Sequence, residues 1–162
     1  MISAPPRSRL GPRLRSLLDL CPAEGPVADI GSGHGRLAYE LARRLPAGEA
    51  FATEVRPGPV RELRRLLGEA GPVTILEGWG LRPLAGGDFR GAVIAGMGGR
   101  TVAAILEMDR DVAEDLAWIC LQPMQRVEWL AAWIGRQSGW SVRRTVTMER
   151  GHVYHSFRLD RR

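Results

Sequence analysis

The sequence contains no lysine and no asparagine; all 23 basic side chains among its 162 residues are arginine. That balance fits a GC-rich coding sequence, and it lacks the lysine enrichment of hyperthermophile proteomes. Cysteine is scarce as well. Cys21 and Cys120 lie far apart, each in apolar surroundings, so they read as buried free thiols of a reducing compartment and not as a disulfide framework. No apolar run approaches the roughly 20 residues that cross a bilayer, and the arginine-bearing N-terminus has no apolar h-region of a secretory signal. These absences point to a cytoplasmic protein with no membrane segment. Histidine is limited to three residues. His152 and His155 fall on one expected strand, where residues three apart point to opposite faces, so no shared metal is expected. There is no internal repeat and no low-complexity segment.

What is present describes one domain over residues 1–162. A chain of this size buries about two-thirds of its unfolded surface, and 44% apolar with 25% charged residues is ordinary for a globular protein. The net charge of +5 favours a polyanionic partner. Residues 1–22 read as a basic helical segment packed on the domain; Leu10, Leu14, Leu17 and Leu18 share one face and arginines cover the rest. Strands are expected at Val27–Ile30, Ala50–Val55, Val73–Leu76, Gly91–Ala95 and Leu116–Leu121. Helices are expected at Leu37–Leu45, Pro59–Glu69, from Gly99 to about Met108, and at Gln125–Gln137. Gly78–Gly87 reads as a loop or a short broken helix. Trp140–Thr147 and Val153–Leu159 alternate as a terminal hairpin with Gly151 in its turn. Strands that alternate with helices predict a mostly parallel sheet with helices on both faces.

The most informative stretch is Ala28-Asp29-Ile30-Gly31-Ser32-Gly33-His34-Gly35. It is an apolar strand, then a turn with glycine at alternate positions, then a helix-periodic segment. Without a Cβ such a turn brings main chain close to a ligand, and open α/β sheets bind ligands beyond the carboxyl ends of their strands. The dinucleotide fingerprint needs Gly-x-Gly-x-x-Gly, and here its third glycine would fall on Arg36. The Gly-x-Gly-x-Gly spacing, with Asp29 two residues ahead, resembles the class I methyltransferases that use S-adenosyl-L-methionine (AdoMet). They have a Rossmann-like α/β fold whose mostly parallel seven-stranded sheet ends in an antiparallel hairpin. In that setting the glycine amides are expected to hold the methionine carboxylate and Asp29 its ammonium, the alternative for Asp29 being a helix cap. Glu54, at the end of the second strand, is expected to accept both ribose hydroxyls, the alternative being an exposed strand-end acid. Trp79, between Gly78 and Gly80, either stacks on adenine or packs on the core beside Leu81. Gly96-Met97-Gly98-Gly99 follows the fourth strand, where small residues let a planar base approach the backbone; clearance at a helix start is the alternative. Gln122 presents an amide to a base edge or caps a turn. His34 is either structural or in contact with ligand. Arg9 and Arg13, within the N-terminal arginine group, are candidate RNA contacts.

Several segments together resemble the bacterial tRNA (adenine-22, N1)-methyltransferases. They are Arg13-Leu14 ahead of Cys21-Pro22, Ala28-Asp29-Ile30-Gly31-Ser32 with His34, Glu54-Val55 with Gly58-Pro59, Gly78 with Gly80-Leu81, Ile94-Ala95-Gly96-Met97-Gly98-Gly99, Leu121-Gln122-Pro123, and Gly151 with Tyr154. The resemblance implies AdoMet as donor and adenine N1 of a tRNA as acceptor. It adds Ser32, Val55 and Gly98 to the cofactor-binding set, and it puts His34, Gly96, Met97 and Gln122 at the reacting end. Departures fall at functional places. The family has Asp where Gly33 stands, Ala at Gly35, Asp at Trp79 and Asn at Met124. It also carries a C-terminal helical domain that helps hold tRNA, and these 162 residues contain no such segment. Without asparagine, and with no Asp-Pro-Pro-Tyr in its place, the chain is not an amino-methyltransferase of the Asn-Pro-Pro-Tyr kind. Two alternatives stand beside the RNA methyltransferase: a catalytically impaired AdoMet- or RNA-binding module, and a same-fold methyltransferase of a small molecule or protein.

Overall fold

The structure, a computed structural model, describes residues 10–68 and 70–162. Arg9 and the rest of the first nine residues, with Glu69, lie outside the described residues, so the expectation for Arg9 has no structural counterpart here. In chain order the elements are α1 (Pro12–Leu20), β1 (Val27–Ile30), α2 (Arg36–Ala42), β2 (Ala50–Glu54), α3 (Pro57–Leu67) and β3 (Thr74–Glu77). A short 3-10 turn (Arg82–Leu84) leads to β4 (Gly91–Ala95), α4 (Gly99–Met108), α5 (Arg110–Asp115), β5 (Trp118–Gln122), α6 (Val127–Gly135), β6 (Trp140–Glu149) and β7 (His152–Arg161). The seven strands form one sheet in the order β3-β2-β1-β4-β5-β7-β6. Five are parallel; β7 enters antiparallel beside β5 and pairs with β6. This is the Rossmann-like α/β architecture that the strand and helix alternation predicts.

Alternate residues of the buried central strands feed two cores. Ala28, Ile30, Ala92 and Ile94 join Val102, Ile105 and Leu130 on the face covered by α4 and α6. Val27, Val93 and Cys120 join Leu17, Leu18, Leu41 and Leu63 on the face covered by α1, α2 and α3. Cys21 and Cys120 are buried free thiols in the second core. A hydrogen bond between them, with burial, raises the Cys21 thiol well above its usual range.

Most element boundaries move by one to three residues from expectation, and three differences bear on the architecture. Helix α5 was unassigned: the chain leaves α4 at Asp109 (φ −110°, ψ 36°) and restarts a helix at once, a break that hydrophobic periodicity does not register. The strand after it starts at Trp118, two residues later than expected. The hairpin strands run longer, because the turn is only Arg150-Gly151, both with positive φ as type I′ turns require. The pairing of β5 with β7 stops at Leu121↔Phe157. Residues 152–155 therefore overhang the carboxyl edge of the parallel strands by about 13 Å. Helix α1 lies against this hairpin. Its exposed N-terminus is capped from across the molecule: Glu149 Oε1 accepts from the Arg13 backbone N–H at 3.2 Å, an acid placed where the helix dipole favours one.

Candidate active site

A cleft of about 680 Å3 opens at the carboxyl ends of β1, β2 and β4, the place where an open α/β sheet receives ligands. Its floor is the turn after β1. Gly31, Gly33 and Gly35 all have positive φ (65°, 58° and 71°), so the sequence needs glycine there for the chain to turn back into α2. At Gly33 a Cβ would meet nothing within 4 Å, which leaves main chain bare to the cleft. The turn is held to its neighbour strand. Gly31 N–H donates to Thr53 Oγ1 (3.3 Å), Ser32 N–H to the Thr53 carbonyl (2.9 Å) and Gly33 N–H to Glu54 Oε2 (3.4 Å). This corrects the expectation of glycine amides free to hold a carboxylate. Those amides are already partnered, and what the turn offers is room.

Two carboxylates stand behind it. Asp29 is 3% exposed, and its Oδ2 accepts from Ser32 Oγ at 2.5 Å. Burial raises its carboxyl to about 7, against the opposing pull of hydrogen bonds from Ser32 and the Ala38 backbone. Glu54 is 7% exposed. Besides Gly33 it binds its own neighbour, Val55 N–H, at 3.1 Å. Each of its oxygens still has acceptor capacity, and it is not the exposed strand-end acid of the alternative reading.

Trp79 lines the same cleft and is 37% exposed, so its indole is available to a ligand while Leu81 takes the core position. Its loop is anchored by Asp109, a residue that sequence reasoning missed. Asp109 is 1% exposed; it accepts Leu81 N–H at 2.8 Å and Arg82 Nε at 2.7 Å. The signal was there: an Asp between two apolar-periodic stretches, with Asp111 in the next turn, marks a second helix start.

The other wall is built from the β4 loop, α4 and α1, with the β5 loop behind it. His34, Val55, Gly78, Gly80, Gly96 and Met97 all line the cleft, as does Arg13. Gly98 does not; it caps α4 beside Gln125, the helix-start alternative for that stretch. Two backbone bonds tie the loops together, Met124 N–H to the Met97 carbonyl (2.8 Å) and Gly99 N–H to the Gln125 carbonyl (2.9 Å). Gln122 is a correction. It is fully buried, and its amide donates to the Arg13 carbonyl (3.0 Å) and Ser156 Oγ (2.8 Å) while Oε1 accepts from Arg13 Nη1 (2.8 Å). It faces α1, not the cleft, and has no edge left to read a base. The hairpin histidines diverge as their spacing requires: His152 lies beside Tyr154, and His155 Nδ1 accepts from Arg144. Among the described residues no group of three or more His, Cys, Asp or Glu is placed to hold a metal ion, and no helix is long and apolar enough to cross a membrane.

A sheet of this order, with a glycine turn and acids at two adjacent strand ends, defines a methyltransferase-type α/β domain. The chain belongs to the methyltransferase-domain family, whose model matches residues 10–157. Among its curated relatives is the tRNA (adenine(22)-N(1))-methyltransferase of Bacillus subtilis, 28% identical over 149 residues, or 90% of this chain. The chain spans 63% of the length of that relative. The crystal structure of the B. subtilis m1A22 tRNA methyltransferase TrmK superposes with a TM-score of 0.82 at 26% identity, covering 95% of this chain and 67% of that one. Sp1610 from Streptococcus pneumoniae, solved in complex with S-adenosyl-L-methionine, superposes with a TM-score of 0.81 at 26% identity over 92% of this chain and 72% of that one.

Proposed function

We propose that the protein is an AdoMet-dependent methyltransferase that modifies N1 of an adenine in tRNA. The observation that carries this reading is the cleft: bare main chain at Gly33 between buried Asp29 and Glu54 on one side, and an arginine held in place on the other. The residues fit the cofactor. Asp29 holds the ammonium and Glu54 the ribose hydroxyls. Trp79 stacks on the adenine, where an acid would instead accept from its amino group. His34 and Val55 flank these contacts, with Gly78 and Gly80 completing the adenine wall. When bound, AdoMet supplies an electrophilic methyl group. The likeness to the B. subtilis tRNA methyltransferase supports a tRNA acceptor, and such an acceptor supports a cytoplasmic location.

Adenine N1 carries an in-plane lone pair, so no residue has to remove a proton before it attacks. The chain's task is to desolvate the base and hold it in line. Gly96 and Met97 form the surface against which the base lies, and Arg13 holds the strand that carries it. The carboxylates lining the cleft, Asp29 and Glu54, both lie on the cofactor side. Gly33 leaves the acceptor side without the acid of the resembling family. That departure favours one second reading, a binding module that has lost catalysis.

Labelled AdoMet incubated with unmodified tRNA transcripts tests the proposal. Label transferred to an adenine, with a product that matches 1-methyladenosine, supports it. AdoMet binding by calorimetry with no labelled RNA favours the binding module, and no heat at millimolar AdoMet removes both.

A further inference from the structure

We infer that Arg13 is a clamp for a backbone phosphate of the acceptor RNA, and that Gln122 and Ser156 are the positioning residues that keep it aimed into the cleft; this rests on RNA being the acceptor. Arg13 is held by a relay that runs inward. Ser156 Oγ, in a residue 1% exposed, takes one Gln122 amide hydrogen at 2.8 Å, and the Arg13 carbonyl takes the other at 3.0 Å. With both donors engaged, Gln122 Oε1 is left to face Arg13 Nη1, at 2.8 Å. The guanidinium also lies over the Tyr154 ring, 5.5 Å from its centroid. A buried amide that orients a partly exposed arginine is an unusual arrangement for a residue that only fastens a helix.

The partner's chemistry is the second observation. Where this protein neutralises an arginine it uses an acid: Asp109 for Arg82 and Asp160 for Arg158. Arg13 is fixed by a neutral amide, and among the described residues its guanidinium forms no ion pair. Glu149, the acid at the start of α1, binds the Arg13 backbone N–H. The full positive charge therefore stays available. Nη1 serves Gln122 and the Met124 sulfur, while Nε and Nη2 have no protein partner among the described residues. Those two donors form the fork that pairs with two phosphate oxygens. The clamp is also in the right place: Met124 is bonded through its backbone to Met97, the residue against which the base lies.

Binding of unmodified tRNA transcript, followed by fluorescence anisotropy between 50 and 200 mM salt, tests this. Arg13→Gln is expected to lower the slope of log affinity against log salt by about 0.7–0.9, the value of one phosphate contact, and to leave the AdoMet dissociation constant within twofold. Gln122→Met keeps the charge, so the slope stays while kcat/KM for tRNA methylation drops about tenfold; Ser156→Ala moves it severalfold in the same direction. A purely structural role would move none of these apart from melting temperature. A wild-type slope in Arg13→Gln, or a loss of AdoMet affinity in place of RNA affinity, overturns the clamp. Wild-type kinetics in Gln122→Met overturn the positioning role. If Arg13→Gln lowers the slope as expected but the wild-type protein methylates none of the transcript, the proposed reaction fails while the clamp stands.

Discussion

The two halves of the cleft are built in different ways. The cofactor half is local and made of backbone. Gly31, Ser32 and Gly33 bond to Thr53 and Glu54, about twenty residues on, and the acids sit at the ends of adjacent strands. The acceptor half is made of side chains from the two ends of the chain. Arg13 reaches Gln122 across 109 residues of sequence, and its amide reaches Glu149 across 136. The first half is rigid because β1 and β2 are buried strands; the second is rigid only while α1 stays docked on the hairpin. In the function proposed above, AdoMet would meet strand ends and backbone, and RNA would meet a surface assembled from distant parts of the chain.

Several variants break or sharpen that contrast. The largest effect is expected at Glu54. Glu54→Ala removes the proposed ribose acceptor and a support of Gly33 N–H, and is expected to weaken AdoMet binding by about 1–3 kcal/mol with RNA affinity unchanged; calorimetry with AdoMet and anisotropy with RNA read the two separately. Asp109→Ala comes next. It leaves the buried Leu81 N–H unpaired, at a cost of about 1–2 kcal/mol in denaturant unfolding, and frees the Trp79 loop. Asp109→Asn keeps an acceptor and is expected to recover most of the loss.

The pH dependence of Asp29 has two signs. Burial raises its carboxyl from 3.8 to about 7, so the folded protein binds that proton more tightly than the unfolded chain. Its contribution to stability therefore falls as pH rises between those values and levels off above them. AdoMet binding runs the other way, because only ionised Asp29 pairs with the ammonium. Affinity is expected to rise up to about tenfold from pH 6 to pH 8, and Asp29→Asn flattens both curves. Opposite slopes in thermal melts and in calorimetry are the check; parallel slopes would sink the ammonium role. The smallest effect is expected at Trp79. Trp79→Leu is expected to weaken AdoMet by about 0.5–1.5 kcal/mol, the worth of one ring stack.

Most of the cofactor half was legible in the sequence, because its determinants are short-range. Alternate glycines between an apolar strand and a helical period dictate the turn, and Glu54 closes a short strand that opens with Ala50-Phe51-Ala52. The acceptor half was legible in its parts but not in their connections. From the sequence Gln122 reads as a base-edge amide or a turn cap, since it ends β5 at the carboxyl edge of the sheet. The period of two that buries Cys120 against α1 puts Gln122 on that same face, so its direction was encoded and overlooked. Asp109 was missed for another reason: its partners, Leu81 and Arg82, lie in a loop with no periodicity to point at it. Trp79 stayed undecided because a lone indole after a strand fits a core and a cleft equally well. Only its neighbour Leu81, in the core, resolves the choice.

The cap that Glu149 places on α1 has a consequence for the order of events during synthesis. Everything that shapes the donor pocket, as far as Asp109, leaves the ribosome before the hairpin does. The helix bearing Arg13 emerges first of all, yet its docking surface is among the last to be made. Under the function proposed above, the RNA-facing side is therefore completed after the donor-facing side, when the final strands have been made.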